Sequence, residues 1–419
     1  MRMANIDSLK TDCVGVLGSP EVPPHHIHTL HIENFRAIRE LDYHPHQINI
    51  ITGQNNSGKS ALLDAVYMNA TGGGRGSSSG LSSEIYNIYI RANKAVLTSD
   101  FVEVTLYRSM EVCKKADPEI YARVRNDIIE HIIDPFIIGE EDEDKRDQYV
   151  STILAYTDYF VTVSDVGYHV VPYFPKGKDI LRKELDAIFG PQVRETPAVY
   201  SKQKHTVRDL LRYQLLPGPW TVYSDPSFVE TIPAVTKVSY SEKFCLDSVG
   251  DKEIHLLEQF IKEHNLVKNI ERLTRKNVLY RKTQKNSAKS DTGDIEEIPI
   301  SAHGDGFIVL LSTLHALLQS ENGILILEEP ENHLHPRYLS VLIETLFTYC
   351  DRLNVQVFMA THSYDLIEGA LEYPETAEEK EMLLISKMTS DGEKIEKFDY
   401  TTDEGLKVVN ELSLDLRGI

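Results

Sequence analysis

Apolar positions along this chain form short runs typical of strands near both ends, and wider stripes typical of helices in the second half. Residues 27–32 alternate between apolar and polar, which predicts a half-buried strand. Residues 324–327 are all apolar, which predicts a strand buried on both faces. Apolar residues spaced by three or four predict one helix over about 308–318 and another from 252 to about 286. Strands and helices that mix in this way indicate an α/β fold.

A glycine-rich loop follows another short apolar run, which predicts a second strand, and we expect the loop to lie inside a small N-terminal sheet. Residues 53–60 read G-Q-N-N-S-G-K-S, and the backbone N–H groups of such a loop wrap a polyphosphate when it joins a strand to a helix. Gly53 and Gly58 permit the turns. Lys59 reaches the β and γ phosphates, and Ser60 offers its hydroxyl to Mg²⁺. A glycine turn without a ligand is the alternative. The residues predicted to bind the nucleotide are Gly53, Gln54, Asn55, Asn56, Ser57, Gly58, Lys59, Ser60 and Ala61.

Two carboxylates and a histidine come directly after predicted strands. Glu328 and Glu329 follow the all-apolar run, and a second strand, predicted over 355–359, is followed closely by His362. At the carboxyl end of a central parallel strand, one carboxylate can hold Mg²⁺ while the next orients a water toward the γ-phosphate. The imidazole can donate to the γ-phosphate or to that water. Acidic loop residues and a buried structural histidine are the alternatives.

A turn of small residues precedes the helix predicted over 308–318. Residues 301–307 read S-A-H-G-D-G-F, and a helix N-terminus entered from such a turn favours an anion. Because the chain already has one phosphate loop, this second anion site predicts a phosphate delivered by another subunit. A plain capping turn is the alternative.

A second turn, residues 330–336, reads P-E-N-H-L-H-P. His333 and His335, with Glu331 nearby, resemble part of a metal-ligand set. The chain has no further cluster with ligand spacing, so we favour turn and interface roles for these histidines.

Composition narrows the class of protein. The 419 residues carry a formal net charge of −20, which opposes unspecific binding to DNA or anionic lipid. Four cysteines without paired spacing predict neither a zinc site nor a disulfide framework, and they fit a reducing cytoplasm. No stretch resembles a signal peptide or a membrane helix, so we expect a soluble cytoplasmic protein with no membrane partner.

Basic residues nonetheless gather in the C-terminal part of the helix predicted over 252–286. They can neutralise DNA phosphates, which makes DNA a candidate partner. They can equally lie on a solvated helix end, where cations suit the helix dipole. The cluster consists of Lys268, Arg272, Arg275, Lys276, Arg281, Lys282, Lys285 and Lys289.

Taken together, these motifs resemble ABC-type ATPases of the SMC, RecF and OLD (overcoming lysogenization defect) group. The closest resemblance is to stand-alone, OLD-like AAA-family ATPases without a Toprim domain. The matching segments are E-N-F-R-A-I at 33–38, G-Q-N-N-S-G-K-S-A-L-L-D-A at 53–65, S-A-H-G-D-G at 301–306, I-L-I-L-E-E-P-E-N-H-L-H-P at 324–336 and T-H-S at 361–363.

The resemblance implies that two heads dimerise face to face, with each ATP lying between the phosphate loop of one copy and the signature turn of the other. It also assigns roles to individual residues. Lys59 and Ser60 bind phosphate and Mg²⁺, Glu328 takes the Walker B metal position, Glu329 is the catalytic carboxylate, His362 is the switch histidine, Arg36 lies near the nucleotide, and the signature residues are Ser301, Gly304 and Gly306.

The implied fold is an α/β, ABC-type P-loop NTPase head with an N-terminal mixed or antiparallel sheet, a parallel core sheet and a largely helical inserted lobe. We expect an irregular extension over 1–26, the two parts of the head over 27–110 and 291–419, and the inserted lobe over 111–290. No role follows from the sequence for the inserted lobe.

The expected activity is hydrolysis of ATP with Mg²⁺ by a homodimer that controls a partner protein or DNA, in genome maintenance or anti-phage defence. An ATP-dependent switch with little hydrolysis is the alternative, because Glu328 stands where the group usually has aspartate. The signature also departs from the common L-S-G-G-Q form, which bears on its contacts with the nucleotide. About 57 residues follow His362, fewer than a Toprim domain needs, so we expect any nuclease or effector to be a separate protein.

Overall fold

The computed structural model of the chain describes residues 26–72, 92–100, 102–127, 129, 148, 151–152, 158–164, 167–173, 195–197, 204–206, 220–224, 235–238, 244–247, 249–282, 295–332, 334–392 and 394–410. Several expectations fall elsewhere. The N-terminal extension, apart from residue 26, lies outside the described residues, as do His333, Lys285 and Lys289.

The described residues form strands, helices and one 3₁₀ turn. The strands are β1 (Leu30–Phe35), β2 (Ile38–Tyr43), β3 (Ile48–Gly53), β4 (Lys94–Ser99), β5 (Glu103–Tyr107), β6 (Asp158–Ser164), β7 (Gly167–Tyr173), β8 (Glu195–Pro197), β9 (Lys204–Thr206), β10 (Trp220–Ser224), β11 (Val235–Val238), β12 (Ile270–Thr274), β13 (Val278–Lys282), β14 (Ile295–Pro299), β15 (Ile324–Glu328), β16 (Gln356–Ala360), β17 (Leu383–Ser390) and β18 (Ile395–Thr401). The helices are α1 (Lys59–Ala70), α2 (Met110–Ala116), α3 (Pro118–Asp127), α4 (Asp251–Glu263), α5 (Asp305–Gln319), α6 (Pro336–Leu353), α7 (Tyr364–Glu372), α8 (Ala377–Met382) and α9 (Thr402–Asn410), with a 3₁₀ turn at Ile300–Ala302.

A six-stranded sheet forms the core, in the order β11-β15-β16-β3-β17-β18. Its first five strands are parallel, and β18 is an antiparallel edge strand. Every residue of β3 and β16 is buried, as in parallel strands covered on both faces. The α/β class and the parallel core sheet are therefore confirmed.

A seven-stranded antiparallel sheet, in the order β10-β7-β6-β5-β4-β1-β2, contains the N-terminal strands. Strand β2 exposes several polar side chains, whereas β3 is buried along its whole length. The two strands belong to different sheets. Our expectation that the phosphate loop lies inside the N-terminal sheet is wrong, because β3 pairs with β16 and β17 in the parallel sheet.

By contacts, the chain divides into two compact units. The first comprises Met1–His28, His44–Leu63 and Pro233–Ile419, and the second comprises Thr29–Tyr43 and Asp64–Ile232. The parallel sheet belongs to the first unit and the antiparallel sheet to the second. The four-part division of the chain stays a prediction.

The helix predicted from 252 to about 286 is much shorter than expected. Helix α4 ends at Glu263, and Asn265 and Asn269 follow with positive φ angles of 48° and 57°. This left-handed conformation stops the helix, and asparagine adopts it more readily than most residues. The chain then forms the hairpin β12-β13, which Asn277 turns with φ 58°.

In the described part of residues 111–290, the strands β6–β13 occur together with the helices α2, α3 and α4. A largely helical inserted lobe stays a prediction. Strand pairing in this region depends on partners distant in sequence, which local apolar spacing does not reveal.

Helices α5 and α6 cover the parallel sheet through their apolar faces. Leu311 and Leu314 of α5 and Leu342 and Leu346 of α6 are fully or almost fully buried, which confirms the helix predicted over 308–318. Of the helices in the described ranges, none has both the length and the apolar character to cross a bilayer.

Candidate functional site

Three segments that carry predicted site residues begin at one edge of the parallel sheet. Glu328, Ala360 and Ile51 lie side by side across β15, β16 and β3. Neighbouring strands are about 4.8 Å apart, so the segments that leave these three strands begin within roughly 10 Å of one another. The phosphate loop, the Glu328–Glu329 pair and the T-H-S segment are brought together by this register.

Two glycines of the phosphate loop are required by the backbone itself. Gly53 has φ +138°, and a Cβ atom there would lie 2.1 Å from the carbonyl oxygen of Met388 on β17. Gly58 has φ +98°, and its Cβ would lie 2.5 Å from Cδ1 of Ile395 on β18. Both φ values are ones that L side chains rarely adopt. The tight turns expected at these positions are therefore present.

Lys59 places a cationic group inside the loop. Its ammonium donates to the carbonyl oxygens of Gly53 (2.9 Å) and Gln54 (2.8 Å). Burial lowers the pKa of Lys59, and the carboxylate of Glu329 acts in the opposite direction by stabilising the charge. Glu329 is thus close enough to Lys59 to act on its charge.

The other loop residues differ in how much they are exposed. Gln54, Asn55, Asn56 and Ser60 are exposed, whereas Ala61 is buried in the first turn of α1. Ser57 is also buried, and its Oγ makes no hydrogen bond within the described structure. A buried hydroxyl without a partner, beside glycines that leave room for no side chain, fits a loop shaped to receive an external polar group.

Glu328 lies at this edge but is held by a neighbour that sequence reasoning missed. Its Oε1 is 3.1 Å from Nζ of Lys237 on β11, the outermost strand on the side away from β3. The contact follows from the parallel pairing of β11 with β15, two segments that are distant in sequence. A local sequence pattern could not have predicted it. Any Mg²⁺ bound by Glu328 shares that carboxylate with an ammonium group.

The exposed Ser60 hydroxyl and the Glu328 carboxylate nonetheless form a donor set that fits Mg²⁺. This ion is commonly held by one or two protein oxygens together with substrate phosphates and water. No group of three or more potential ligands among His, Cys, Asp and Glu occurs in the ranges that the structure describes. A site completed by phosphate oxygens does not need one.

Glu329 and His362 face each other. Oε1 of Glu329 is 3.6 Å from Nε2 of His362, and Oε2 accepts a hydrogen bond from Asn332 Nδ2 at 2.8 Å. The backbone N–H of Glu329 donates to the carbonyl of Ala360 (2.9 Å), and its φ is +47°. A left-handed glutamate is strained, and such strain concentrates at functional sites.

Glu331 is the second residue that sequence reasoning missed. Its Oε1 accepts hydrogen bonds from Thr361 Oγ1 (2.5 Å) and from the backbone N–H of His362 (3.0 Å). The sequence placed Glu331 in a turn beside histidines. In the structure, His335 begins α6, where its Nδ1 accepts from the Arg337 N–H at 3.3 Å.

The signature turn precedes α5 in the first unit. Ser301 and Gly304 are exposed, and Gly304 is the residue before the first turn of α5. Gly306 is buried within that turn, so it is less accessible to another chain than the other two. The His303 ring, whose pKa is lowered by burial, packs on Phe307 with ring centroids 4.8 Å apart.

Arg36 belongs to the second unit. It has φ +51° and its guanidinium contacts the carboxylate of Asp64. Its predicted place near the nucleotide stays a prediction.

The chain is similar in sequence to known protein families and to individual proteins. A family model described as an AAA domain matches residues 29–299, and a second, described as an AAA domain, putative AbiEii toxin, Type IV TA system, matches residues 237–368. An ATP/GTP phosphatase of Helicobacter pylori is 24% identical over 353 residues, which is 82% of this chain and 86% of that protein. The DNA replication and repair protein RecF of Nitrosococcus oceani is 43% identical over 44 residues, 10% of this chain and 12% of that protein.

Among solved structures, the SMC head domain from Thermotoga maritima aligns with a TM-score of 0.40 and 11% identity, covering 90% of this chain and 99% of that one. The AAA domain model alone spans more than half of the sequence. The chain therefore belongs to the AAA domain family, and its resemblance to ABC-type ATPases of the SMC and RecF group is confirmed.

Proposed function

We propose that this chain binds and hydrolyses ATP as an ABC-type ATPase, and that two copies close around ATP to control a partner protein or DNA. The observation that carries the proposal is the pairing of Glu329 with His362 at the sheet edge, within electrostatic reach of Lys59. A carboxylate that positions water and a phosphate-loop lysine recur in enzymes that hydrolyse ATP, and an imidazole beside them can donate a hydrogen bond. The similarity to an ATP/GTP phosphatase over most of both chains supports the same activity.

Binding of the triphosphate falls to the loop between β3 and α1. Its backbone N–H groups and the positive end of the α1 dipole suit phosphate oxygens. Lys59, which donates to two loop carbonyls, can turn its ammonium to the β and γ phosphates. Ser60 and Glu328 would hold Mg²⁺, which supplies positive charge against the phosphates when bound.

Hydrolysis is assigned to Glu329 and His362. Water attacks the γ-phosphorus, the bond to the oxygen that bridges the β and γ phosphates breaks, and ADP leaves. Glu329 orients the water and accepts its proton. His362, which lies 3.6 Å from Glu329, donates to the γ-phosphate oxygens.

Dimerisation is proposed to complete each site in trans. Ser301 and Gly304 are exposed at the N-terminal end of the fifteen-residue helix α5. Exposed small residues at a helix N-terminus allow a phosphate of another copy to approach the backbone closely. This arrangement supports a homodimer held together by ATP.

A switch with little hydrolysis is the second candidate function. The ion pair between Glu328 and Lys237 favours it, because a carboxylate already paired with an ammonium is a weaker ligand for Mg²⁺. In that case ATP would still join two copies, and only turnover would be slow.

The rate of ATP hydrolysis and the mass of the protein in solution distinguish the ATPase from the switch. ATP hydrolysis is measured with Mg²⁺, with and without DNA, for the wild type and for Glu329→Gln. Loss of a general base lowers catalysis by about 100-fold or more, and the same variant should accumulate as an ATP-bound dimer in light scattering. The matched control is Glu372→Gln, which changes an exposed glutamate at the end of α7.

Hydrolysis that depends on Glu329 supports the ATPase. Binding of ATP without turnover favours the switch. A Glu329→Gln protein that stays monomeric with ATP and Mg²⁺ would contradict dimerisation in either form.

A further inference from the structure

We propose that Glu331 is a positioning residue that holds His362 opposite Glu329. The inference rests on the proposed function, because it gives the Glu329–His362 pair a reason to be fixed. Glu331 lies in the turn that follows β15, two residues after Glu329. Its Oε1 atom accepts one hydrogen bond from the Thr361 hydroxyl and one from the His362 backbone N–H.

Thr361 connects this carboxylate to the strand that carries the phosphate loop. The Thr361 side chain is fully buried, and its backbone N–H donates to the carbonyl of Ile51 on β3 at 3.0 Å. Its hydroxyl also accepts from the Ser363 N–H at 3.0 Å. Glu331 therefore joins the turn after β15 to the end of β16, and through Thr361 to β3.

The backbone of Glu329 is tied to the same place from the other side. Its N–H donates to Ala360, the residue before Thr361, and the Asn332 N–H donates to the Glu329 carbonyl at 3.1 Å. Two neighbouring segments are thus cross-linked twice, once by backbone and once by Glu331. The separation of 3.6 Å between Glu329 Oε1 and His362 Nε2 is set between these two links.

The burial of the Glu331 carboxylate lowers the stability of the folded chain, which argues against a purely structural role for this residue. Oε2 of Glu331 is buried and makes no hydrogen bond within the part of the chain that the structure describes. A buried carboxylate oxygen without a partner loses its hydration and gains no hydrogen bond in return, which destabilises the folded chain. A site selected for stability alone would be served better by a neutral acceptor, and polar groups left in this way are typical of functional sites.

The key variants are Glu331→Leu and Glu331→Gln. Leucine has no side-chain oxygen to accept the two hydrogen bonds, whereas glutamine keeps an uncharged amide oxygen that can accept them. Two hydrogen bonds to a charged group contribute enough that misplacement of His362 should lower kcat by about tenfold or more in Glu331→Leu. KM for ATP and the affinity for a non-hydrolysable ATP analogue should change by less than about threefold, because the phosphate loop is unaltered. Glu331→Gln should retain most of the wild-type kcat.

A double-mutant cycle tests whether Glu331 acts through His362. In a His362→Ala background, Glu331→Leu should lower kcat no further, since the group that it positions is gone. A further loss of tenfold in that background would overturn the inference while leaving the proposed ATPase intact. If His362→Ala has wild-type turnover, the role proposed for His362 fails, and the inference fails with it.

Hydrogen exchange supplies a readout that needs no turnover. The backbone N–H of His362 should exchange faster in Glu331→Leu than in the wild type, and Glu331→Gln should restore its protection. Equal protection in all three proteins would refute the contact. If Glu331→Leu does not fold, Thr361→Val removes one of the two donors and should lower kcat in the same direction, and an unchanged kcat would count against the proposal.

Discussion

A substitution at Gly304 should affect the association of two copies without affecting the fold of one copy. It is exposed, with φ −61° and ψ 160°, a conformation open to any residue. A Cβ atom built on Gly304 meets no heavy atom within 4 Å. In the described part of one copy, no neighbouring atom excludes a side chain at this position. Under our proposal, glycine leaves room for the nucleotide bound to the other copy.

The expected cost of Gly304→Ala to the folded monomer is small. Alanine is a poorer residue than glycine before the first turn of α5, which costs about 0.5–1 kcal/mol. Alanine also reduces the conformational entropy of the unfolded chain, which stabilises the folded state by about 0.4–1 kcal/mol. The free energy of unfolding should therefore stay within about 1 kcal/mol of the wild type. A methyl group forced into a packed interface costs about 1–3 kcal/mol, and a symmetric dimer contains the site twice.

The assay compares Glu329→Gln with Glu329→Gln/Gly304→Ala. Urea denaturation reports the stability of each monomer, and sedimentation with ATP and Mg²⁺ reports the dimer. We expect equal stability and a dimer weakened by about tenfold or more, from the interface cost of a methyl group at two sites. A double variant that dimerises as well as Glu329→Gln alone would refute the reasoning, because the turn would then tolerate a side chain in the assembled state.

Three further substitutions and one labelling experiment test other parts of the structure. Gly53→Ala should lower the free energy of unfolding by about 3 kcal/mol or more, since a side chain there overlaps a carbonyl of β17; a wild-type urea midpoint would contradict this. Lys237→Gln should reduce the Mg²⁺ concentration for half-maximal turnover by about two- to fivefold, as a partly exposed ion pair contributes up to about 1 kcal/mol, and an unchanged requirement would exclude competition. Lys276→Glu should leave any DNA affinity within about twofold, because acidic partners accompany the cations of the β12-β13 hairpin, and a tenfold loss would make the hairpin a DNA surface. Burial raises the pKa of the Cys113 thiol to about 11, so iodoacetamide at about pH 8 should label the exposed Cys245 far faster; comparable rates in peptide mass spectrometry would show that Cys113 is accessible.

The sequence predicts the centre of the molecule because that part depends on local signals. Runs that are apolar on both faces mark parallel strands, and the ends of parallel strands meet at one edge of a sheet. From this rule alone, Glu329 and His362 are expected to meet near Lys59, and the register of β15, β16 and β3 brings them together. Their chemical roles stay predictions.

Contacts between distant segments are what the sequence does not reveal. Lys237 reaches Glu328 only because β11 pairs with β15, and Glu331 reaches Thr361 only because two turns meet. The long helix expected after residue 252 failed for a different reason. Its apolar stripe continues past residue 263, but Asn265 adopts a left-handed conformation that outweighs the periodicity.

The position of β17 and β18 limits where the chain can be shortened without damage to the phosphate loop. All five motifs lie before residue 364, yet Gly53 abuts the Met388 carbonyl and Gly58 abuts the Ile395 side chain. A fragment cut after the T-H-S segment would keep every recognisable motif and lose the wall behind its own phosphate loop. Positions 388 and 395 match no motif, but the space left for their atoms is set by two glycines more than 300 residues earlier in the chain. Natural variation at position 395 should accordingly be limited in size by Gly58, although Ile395 contributes no group to the chemistry.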